Sequence, residues 1–283
     1  MTVSYSDLLR SGAAKLTEAG VTEARYDARK LLLKATGFET VDLIANGRDI
    51  ATPEHQKIYR DLIAERAARR PIAHIEGQTP FYGLSLKADP RALIPRADSE
   101  CVVDLALEII PEQANWEIAD LGTGTGALLA AILANRPNCK GQAVDLSAEA
   151  LTLANENFRD LGLADRVSTF SGSWANWGGW ATCDLLISNP PYIVSDVIAT
   201  LEPEVRDHDP FLALDGGKDG LDAYREIIAR ASTKLKPGAH LVFEIGYDQK
   251  MAVSDLLIGA GFGNLQHRQD LGEQDRAIAT TKS

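Results

Sequence analysis

The sequence contains few cysteines and histidines. Three of its 283 residues are cysteines, Cys101, Cys139 and Cys183, which lie far apart and are odd in number. This usage predicts unpaired thiols in a reducing compartment rather than a disulfide-stabilised secreted domain. The five histidines are scattered and form no cluster with the cysteines. Because zinc sites draw their ligands from such clusters, we expect no metal site.

Long hydrophobic runs are missing as well. No stretch of the sequence approaches the ~18 consecutive apolar residues that cross a membrane. The first residues, MTVSYSDLLRSGAAKL, lack the basic segment followed by an apolar one that marks a secretory signal. The sequence therefore predicts a cytoplasmic protein without a membrane partner.

Positive charge is scarce and unevenly placed. The chain has 29 Lys and Arg against 40 Asp and Glu, which gives a net charge of −11. Residues 1–80 carry 12 basic and 11 acidic side chains, whereas residues 81–283 carry 17 and 29. Since non-specific nucleic-acid binding depends on Lys and Arg contacts to phosphates, the acidic body argues against direct nucleic-acid binding.

Residues 1–70 show the pattern of a small helical domain. The chain is long enough for one large and one small domain. In TPEHQKIYRDLIAERAARR, Thr52 is a suitable N-cap and Pro53 stands at the first helical position. In TEARYDARKLLLKATG, we expect Thr22 to be the cap and Gly37 to follow the helix end. We expect this domain to bind a partner.

Residues 71–98 contain Gly, Pro and short apolar runs, which predict a β-hairpin linker rather than a helix.

Residues 99–283 form the main domain, in which strand-like and helix-like segments alternate. This alternation predicts an α/β fold with a doubly wound, mostly parallel sheet. The tail, FGNLQHRQD…DRAIATT, predicts an antiparallel edge hairpin that brings the sheet to seven strands. The parallel strands are expected in WEIADLG, GQAVDL, RVSTFSG, CDLLISN and AHLVFEIG, and the helices in ALLAAILANR, SAEALTLANENFRDLG, LDAYREIIARASTKLK and KMAVSDLLIGAG.

A glycine-rich turn joins the first of these strands to its helix. It reads Gly122-Thr123-Gly124-Thr125-Gly126, and its glycines permit positive φ angles and a close approach of backbone to ligand. Asp145 ends the next strand, 23 residues after Gly122, where a carboxylate can accept both hydroxyls of a ribose. The Gly-x-Gly-x-x-Ala spacing fits the loose dinucleotide fingerprint. The loop therefore predicts a nucleotide-like ligand and leaves NAD and S-adenosylmethionine open.

The order of the motifs favours S-adenosylmethionine. A glycine loop, an acid and then Asn-Pro-Pro-Tyr after the fourth strand resembles the order in class I methyltransferases. Ligands of open α/β sheets bind at the carboxyl ends of the strands, where the glycine loop, Asp145, Trp174 and Asn189 would share one rim. Trp174 can contact the adenine, or it can be a packing residue like its neighbours Trp177 and Trp180. Both interpretations stay open.

The motif Asn189-Pro190-Pro191-Tyr192 suits transfer to a planar nitrogen. The lone pair of such a nitrogen is delocalised, so an enzyme must hold its N–H bonds and favour tetrahedral geometry. The side-chain oxygen of Asn189 and the carbonyl of Pro190 can accept those hydrogens. Two prolines stiffen the loop, and Tyr192 offers a flat face to the substrate. A plain proline turn predicts neither Asn nor Tyr.

These residues carry a resemblance to a known family. NPPY together with DLGTGTG is similar to the amino-directed methyltransferases, which modify adenine in DNA, guanine in ribosomal RNA or glutamine in proteins. Two further blocks, PIAHIEGQTPFYGLSLKADPRALIPRADSE (71–100) and EVRDHDPFLALDGGKDGLDAYREII (204–228), resemble the HemK-type release factor glutamine methyltransferases. The resemblance covers about 70–283, and the helical residues 1–70 are compatible with that family's substrate-recruiting domain.

The resemblance implies an activity and a set of site residues. The reaction is methylation of the glutamine amide in the Gly-Gly-Gln motif of class 1 peptide chain release factors, from S-adenosylmethionine to S-adenosylhomocysteine, without a metal. The residues matching cofactor contacts are Gly122–Gly126, Asp145, Trp174 and Asn189. Those matching the grip on the glutamine are Asn189, Pro190, Pro191 and Tyr192. ALIPR (92–96) matches a segment that closes the site, which implicates Leu93 and Arg96. A solvated or salt-bridged Arg96 is the alternative. The family usually has proline where Ala97 stands here.

Other functions stay open on the sequence alone. The same chemistry on a ribosomal protein glutamine would leave the same motif, because the target differs outside it. A DNA or RNA amino methyltransferase is disfavoured by the acidic body and by the lack of an evident target-recognition insertion. An NAD enzyme or a non-catalytic binding module would not need an intact Asn-Pro-Pro-Tyr.

Overall fold

A computed structural model describes residues 3–283, which divide into two compact units. The helical unit comprises the described residues up to Gly77 together with Glu202–His208, and the sheet unit comprises Gln78–Leu201 and Asp209–Ser283. The domain bounds expected from the sequence, 1–70, 71–98 and 99–283, stay a prediction. None of the helices within residues 3–283 has the length and hydropathy needed to cross a membrane.

Two of the three capping residues expected in the N-terminal helices of the helical unit are confirmed. Thr52 accepts a hydrogen bond from the backbone N–H of His55, as expected of an N-cap, and Gly37 ends its helix in the left-handed conformation. The expected cap Thr22 is wrong: Glu23 holds that position without a side-chain bond. These helices are α1 (Tyr5–Glu18), α2 (Ala24–Thr36), α3 (Thr40–Asn46), α4 (Pro53–Ala67) and α5 (Ile72–Glu76).

An ion-pair cluster holds the segment Glu202–His208 within the helical unit. Arg66 is 6% exposed, and its guanidinium donates to Asp27 at 2.7 Å and to Glu204 at 2.8 Å. Arg69 donates to the same Glu204 carboxylate at 2.8 Å. A buried guanidinium needs such partners, because an unpaired charge in the interior is strongly destabilising. The segment that follows the Asn-Pro-Pro-Tyr region in the chain thus belongs to the helical unit.

The expected hairpin is present as β1 (Gln78–Phe81) and β2 (Leu84–Lys87), which pair antiparallel. Its two turn residues, Tyr82 and Gly83, both have positive φ, as a tight hairpin turn requires. The helix α5 corrects the prediction that residues 71–98 contain no helix. It forms because Pro71 precedes one helical turn and Gly77 stops it with a φ of 80°.

The sheet unit contains a seven-stranded sheet in the order β5-β4-β3-β6-β7-β9-β8. β3 to β7 are parallel, whereas β9 pairs antiparallel with both β7 and β8. This confirms the predicted α/β fold with an antiparallel edge hairpin. The strands are β3 (Glu117–Leu121), β4 (Lys140–Asp145), β5 (Val167–Ser171), β6 (Leu185–Ser188), β7 (His240–Glu244), β8 (Gly263–Gln269) and β9 (Asp275–Thr281).

Helices cover both faces of this sheet, and two apolar clusters fill the space between them. β6 is buried along its whole length, which explains why its sequence is a continuous apolar run rather than an alternating one. The predicted cap Ser147 accepts from the N–H of Ala150. The remaining helices are α6 (Glu100–Ile109), α7 (Ala127–Asn135), α8 (Ala148–Asp160), α9 (Pro203–Arg206, in the helical unit), α10 (Phe211–Leu214), α11 (Asp222–Lys234) and α12 (Lys250–Gly259).

The strand order reverses at β3. From β3 the chain moves outward through β4 and β5, then returns to place β6 on the other side of β3. Crevices at such a reversal, beside the carboxyl ends of the strands, are where open α/β sheets bind ligands. The glycine loop follows β3 and Asn189 follows β6, so both lie at this point.

Candidate active site

The glycine loop has the backbone that its sequence predicts. Gly122, Gly124 and Gly126 have φ angles of 73°, 56° and 81°, a region that side chains disfavour. A Cβ on Gly126 would lie 2.6 Å from the ring of Phe158, so this glycine permits close packing. A Cβ on Gly122 or Gly124 would meet no atom nearer than 3.9 Å. These two leave room for a ligand.

Asp145 fixes the shape of the loop. Its carboxylate accepts from the N–H of Gly124 and from the N–H of Ser147, both at 2.9 Å. Burial raises the pKa of Asp145, and the backbone donors partly offset that rise. Each carboxylate oxygen keeps a lone pair for a ribose hydroxyl. Asp145 therefore suits its predicted role as an acceptor for the ribose hydroxyls. It also anchors the glycine loop, a second role that the sequence did not indicate.

Asp120 is a site residue that the sequence analysis missed. It lies in β3, is 1% exposed, and accepts a hydrogen bond from the hydroxyl of Thr123 at 2.7 Å. Its second oxygen is buried and makes no hydrogen bond to the described residues. Burial raises the pKa of Asp120 to about 7. A carboxylate inside the buried part of the strand, between Ala119 and Leu121, was the signal that could have identified it.

A cavity of about 400 Å³ lies beside the glycine loop in the sheet unit. Its wall includes Asp120 and the short helix α10, neither of which the sequence analysis proposed. The predicted site residues that line it are Gly122, Thr123, Gly124, Thr125, Asp145, Trp174, Asn189, Pro191 and Leu93. Four other predicted and described residues lie outside its lining: Gly126, Pro190, Tyr192 and Arg96. Nine of the predicted site residues therefore line the cavity and four do not, and the rest of its wall was not predicted.

Asn189 lines this cavity and follows a strand end that is held in place. The strand before it is fixed by Ser188, whose hydroxyl donates to the carbonyl of Leu121 at 2.6 Å. The side chain of Asn189 is half-buried, and none of residues 3–283 supplies it with a hydrogen bond. Its amide oxygen is therefore free to accept from a substrate.

The Asn-Pro-Pro-Tyr loop is braced from behind by contacts that the sequence did not reveal. The hydroxyl of Tyr192 donates to the buried carboxyl of Glu244 at 3.3 Å, and the amide of Gln249 donates to the Tyr192 carbonyl at 3.0 Å. Burial and the neighbouring Glu244 raise the pKa of Tyr192. A Cβ on Gly220 would lie 2.4 Å from that carbonyl, and one on Gly216 would lie 2.8 Å from the Tyr192 Cα. The two glycines let a second backbone pack directly against the loop.

Trp174 differs in burial from the two tryptophans that follow it in the chain. Trp177 and Trp180 are buried and pack edge to face with ring centroids 5.3 Å apart. Their ring nitrogens donate to Gln142 and to the Trp174 carbonyl. Trp174 itself is half-buried and lines the cavity. Trp174 thus lines the cavity and also packs against the core, so both of its interpretations stay predictions, whereas Trp177 and Trp180 are packing residues.

Arg96 forms a salt bridge, as its alternative interpretation expected. Its guanidinium donates to Asp209 at 2.9 Å, and the side chain of Asp209 is fully buried. Asp209 immediately precedes Pro210–Ala213, which line the cavity. Arg96 therefore holds a cavity wall, and a direct contact to substrate remains a prediction.

Residues 3–283 contain no group of three or more His, Cys, Asp or Glu arranged to hold a metal ion.

Two solved structures share the fold of this chain. A methyltransferase from Pyrococcus furiosus aligns with a TM-score of 0.51 at 19% identity over 71% of this chain and 90% of its own. The catalytic domain of hMettl16, solved with the MAT2A 3′UTR hairpin 6, aligns with a TM-score of 0.56 at 16% identity over 79% of this chain and 82% of its own. These likenesses concern the fold, which is that of the Rossmann-like methyltransferases.

Sequence relatives narrow the class to one family. Residues 7–77 match the PrmC N-terminal domain, and residues 100–202 match the methyltransferase small domain. The release factor glutamine methyltransferase of Caulobacter vibrioides is 39% identical over 283 residues, which cover 100% of this chain and 98% of the relative. That of Bradyrhizobium diazoefficiens is 41% identical, covering 99% and 95%. The chain belongs to the family of release factor glutamine methyltransferases, which confirms the resemblance drawn from its motifs.

Proposed function

We propose that this protein transfers the methyl group of S-adenosylmethionine to the side-chain amide nitrogen of the glutamine in the Gly-Gly-Gln motif of class 1 release factors. The products are N-methylated glutamine, S-adenosylhomocysteine and a proton. The observation that carries the proposal is the side-chain amide of Asn189, which lines the glycine-loop cavity and makes no hydrogen bond within residues 3–283. Membership of the family over the full chain supports a release factor as the substrate. It disfavours a nucleic acid or a ribosomal protein as the substrate, and NAD as the cofactor.

The residues around the cavity fit S-adenosylmethionine. Gly122 and Gly124 leave space that a side chain would fill, and Asp145 can accept the ribose hydroxyls. The unpaired oxygen of Asp120 suits the cationic amino group of the methionine part. Trp174 offers an aromatic surface to the adenine. When bound, the cofactor supplies an electrophilic methyl group on a sulfonium.

The chain's own groups prepare the amide nitrogen. The side-chain oxygen of Asn189 and the carbonyl of Pro190 accept its two hydrogens, which orients the nitrogen toward the methyl group. Both acceptors favour the tetrahedral nitrogen that carries developing positive charge. Tyr192, held by Glu244 and Gln249, flanks the planar amide. No strong base is required beforehand, because the nitrogen becomes acidic as its bond to the methyl group forms.

Labelled S-adenosylmethionine tests the choice of substrate. Purified release factor, ribosomal proteins, ribosomal RNA and DNA are incubated separately with the enzyme, and transfer is counted for each. We expect label on the release factor only. Label on a ribosomal protein or a nucleic acid instead would retain the chemistry and overturn the substrate.

A further inference from the structure

The helical unit carries an open groove between α1 and α2, here called the α1–α2 groove. Its volume is about 760 Å³. Its floor includes Leu9 and Ala13, and its rim carries the side chains of Arg10, Arg25 and Arg29. The groove thus combines an apolar floor with three guanidinium groups.

The lining of this groove is more basic than the residues around it. It contains no Asp or Glu, whereas residues 1–80 as a whole carry 12 basic and 11 acidic side chains. Arg25 and Arg29 form no salt bridge with residues 3–283. Arg10 is 3.5 Å from Asp7, but both side chains are at least half exposed, and such a pair contributes little. The three guanidiniums are therefore available to a partner, and guanidinium matches carboxylate in a two-point geometry.

Tyr26 distinguishes between two classes of anionic partner. Its ring is 48% exposed at the rim of the groove. It is already covered by cations, with the Arg29 guanidinium 5.8 Å and the Lys30 ammonium 5.4 Å from the ring centroid. Lys30 is held in place by Glu76 at 2.6 Å. A nucleic-acid base would compete with these cations for the ring, whereas a carboxylate adds to them.

We propose that the α1–α2 groove docks an acidic segment of the protein substrate. Carboxylates of that segment pair with Arg10, Arg25 and Arg29, and an apolar side chain between them rests on the floor at Leu9 and Ala13. The inference rests on the proposed function for the identity of the partner, a class 1 release factor. It adds a recognition surface outside the catalytic cavity that selects the whole protein rather than the glutamine alone.

Charge reversal with a matched control tests the groove. The test variant is Arg25→Glu/Arg29→Glu. The control is Arg48→Glu/Lys57→Glu, which changes the charge of the helical unit equally at exposed positions outside the groove lining. For both variants and the parent, the dissociation constant for full-length release factor is measured at low and moderate salt, together with the KM and kcat of methyl transfer. Thermal unfolding and S-adenosylmethionine binding are measured alongside as folding checks.

The proposal expects a selective loss. The groove variant should bind release factor roughly tenfold or more weakly, with a raised KM, an unchanged kcat and a smaller salt dependence. The control should stay within about twofold of the parent. Equal affinity for release factor in all three proteins, or an equal loss of affinity in both variants, would contradict the docking role of the α1–α2 groove. An RNA oligonucleotide that binds the parent and competes with release factor overturns the choice of an acidic protein. A parent protein that methylates no release factor overturns the proposed function itself, and the partner named here with it.

Discussion

Single side chains at the cavity have separable tasks. In the proposed reaction, Asn189 presents its amide to the substrate and Asp120 presents its unpaired oxygen to the cofactor. Asp145 shapes the glycine loop between them. Two of these three were predictable, because Asn189 and Asp145 stand at strand ends within motifs. Asp120 was missed: its carboxylate between Ala119 and Leu121 is a signal in the sequence, but only the structure shows that one of its oxygens is unpaired.

The first prediction concerns Asn189. Replacement by alanine removes one of the two acceptors that orient the amide nitrogen but leaves the glycine loop intact. We expect kcat to fall roughly 100-fold or more, while the dissociation constant for S-adenosylmethionine changes little. Single-turnover transfer and calorimetric cofactor titration measure the two quantities. Full activity in Asn189→Ala would contradict the role given to this residue.

The second prediction concerns the pH dependence that Asp120 imposes on cofactor binding. With its pKa raised to about 7 by burial, Asp120 is neutral in slightly acidic solution and charged in slightly alkaline solution. A cationic amino group binds the charged form better, so affinity for S-adenosylmethionine should rise as the pH increases through about 7. Asp120→Asn should bind more weakly at pH 8 and lose this dependence. A parent protein whose affinity is flat between pH 6 and 8 would exclude the assignment.

At the scale of elements, the Asn-Pro-Pro-Tyr loop depends on a second loop that carries no catalytic group. The backbone at Gly216 and Gly220 packs against Tyr192, and Gln249 connects the two by hydrogen bonds to the carbonyls of Tyr192 and Gly220. This explains the glycines in LDGGKDG, which the sequence analysis used only as a family resemblance. The catalytic geometry is therefore a property of two packed segments.

The third prediction tests this packing. Gly220 has a φ of 75°, and a Cβ there would lie 2.4 Å from the Tyr192 carbonyl. Gly220→Ala should therefore displace the loop, destabilise the protein by about 1–3 kcal/mol and reduce kcat. Gly178→Ala is the matched control, since Gly178 has ordinary φ and no atom within 4 Å of the added Cβ. Denaturant unfolding and steady-state kinetics report both effects. If both variants behave alike, the packing does not support the loop.

Elements were predictable from sequence where burial dictates the pattern. β6 is buried on both faces and its apolar run indicated a strand, whereas the helices of the helical unit were indicated by Thr52, Pro53 and Gly37 at their ends. The prediction was wrong where local signals were weak. Thr22 and Glu23 are adjacent polar residues, either of which can precede a helix, and α5 is a single turn between Pro71 and Gly77. The side-chain partners of Arg96 and Tyr192 are distant in sequence, so no local pattern indicated them.

At the scale of the whole molecule, buried carboxyls make stability depend on pH. Glu244 lies at the end of β7, is 2% exposed, and has its pKa raised to about 7, chiefly by burial. The folded state therefore holds a proton that the unfolded state releases at lower pH. The contribution of Glu244 to the free energy of unfolding is therefore fully present below pH 4.5 and is lost as the pH rises to about 7. Asp120 contributes in the same direction.

The fourth prediction follows for Glu244→Gln. The amide keeps an acceptor for the Tyr192 hydroxyl but does not titrate. The variant should match the parent in unfolding free energy near pH 4.5 and exceed it at pH 8, by on the order of 2 kcal/mol. Urea unfolding across this range measures the difference. A constant difference at every pH would show that Glu244 titrates normally in the folded protein.

The assignment of the reaction depends on where the methyl group arrives. Release factor is incubated with the enzyme and S-adenosylmethionine, digested, and sequenced by fragmentation mass spectrometry, beside a release factor whose motif glutamine is replaced by alanine. We predict one methyl group, on the side-chain amide of that glutamine, and none on the substituted protein. A methyl group on any other residue, or equal modification of the substituted protein, would contradict the proposed function.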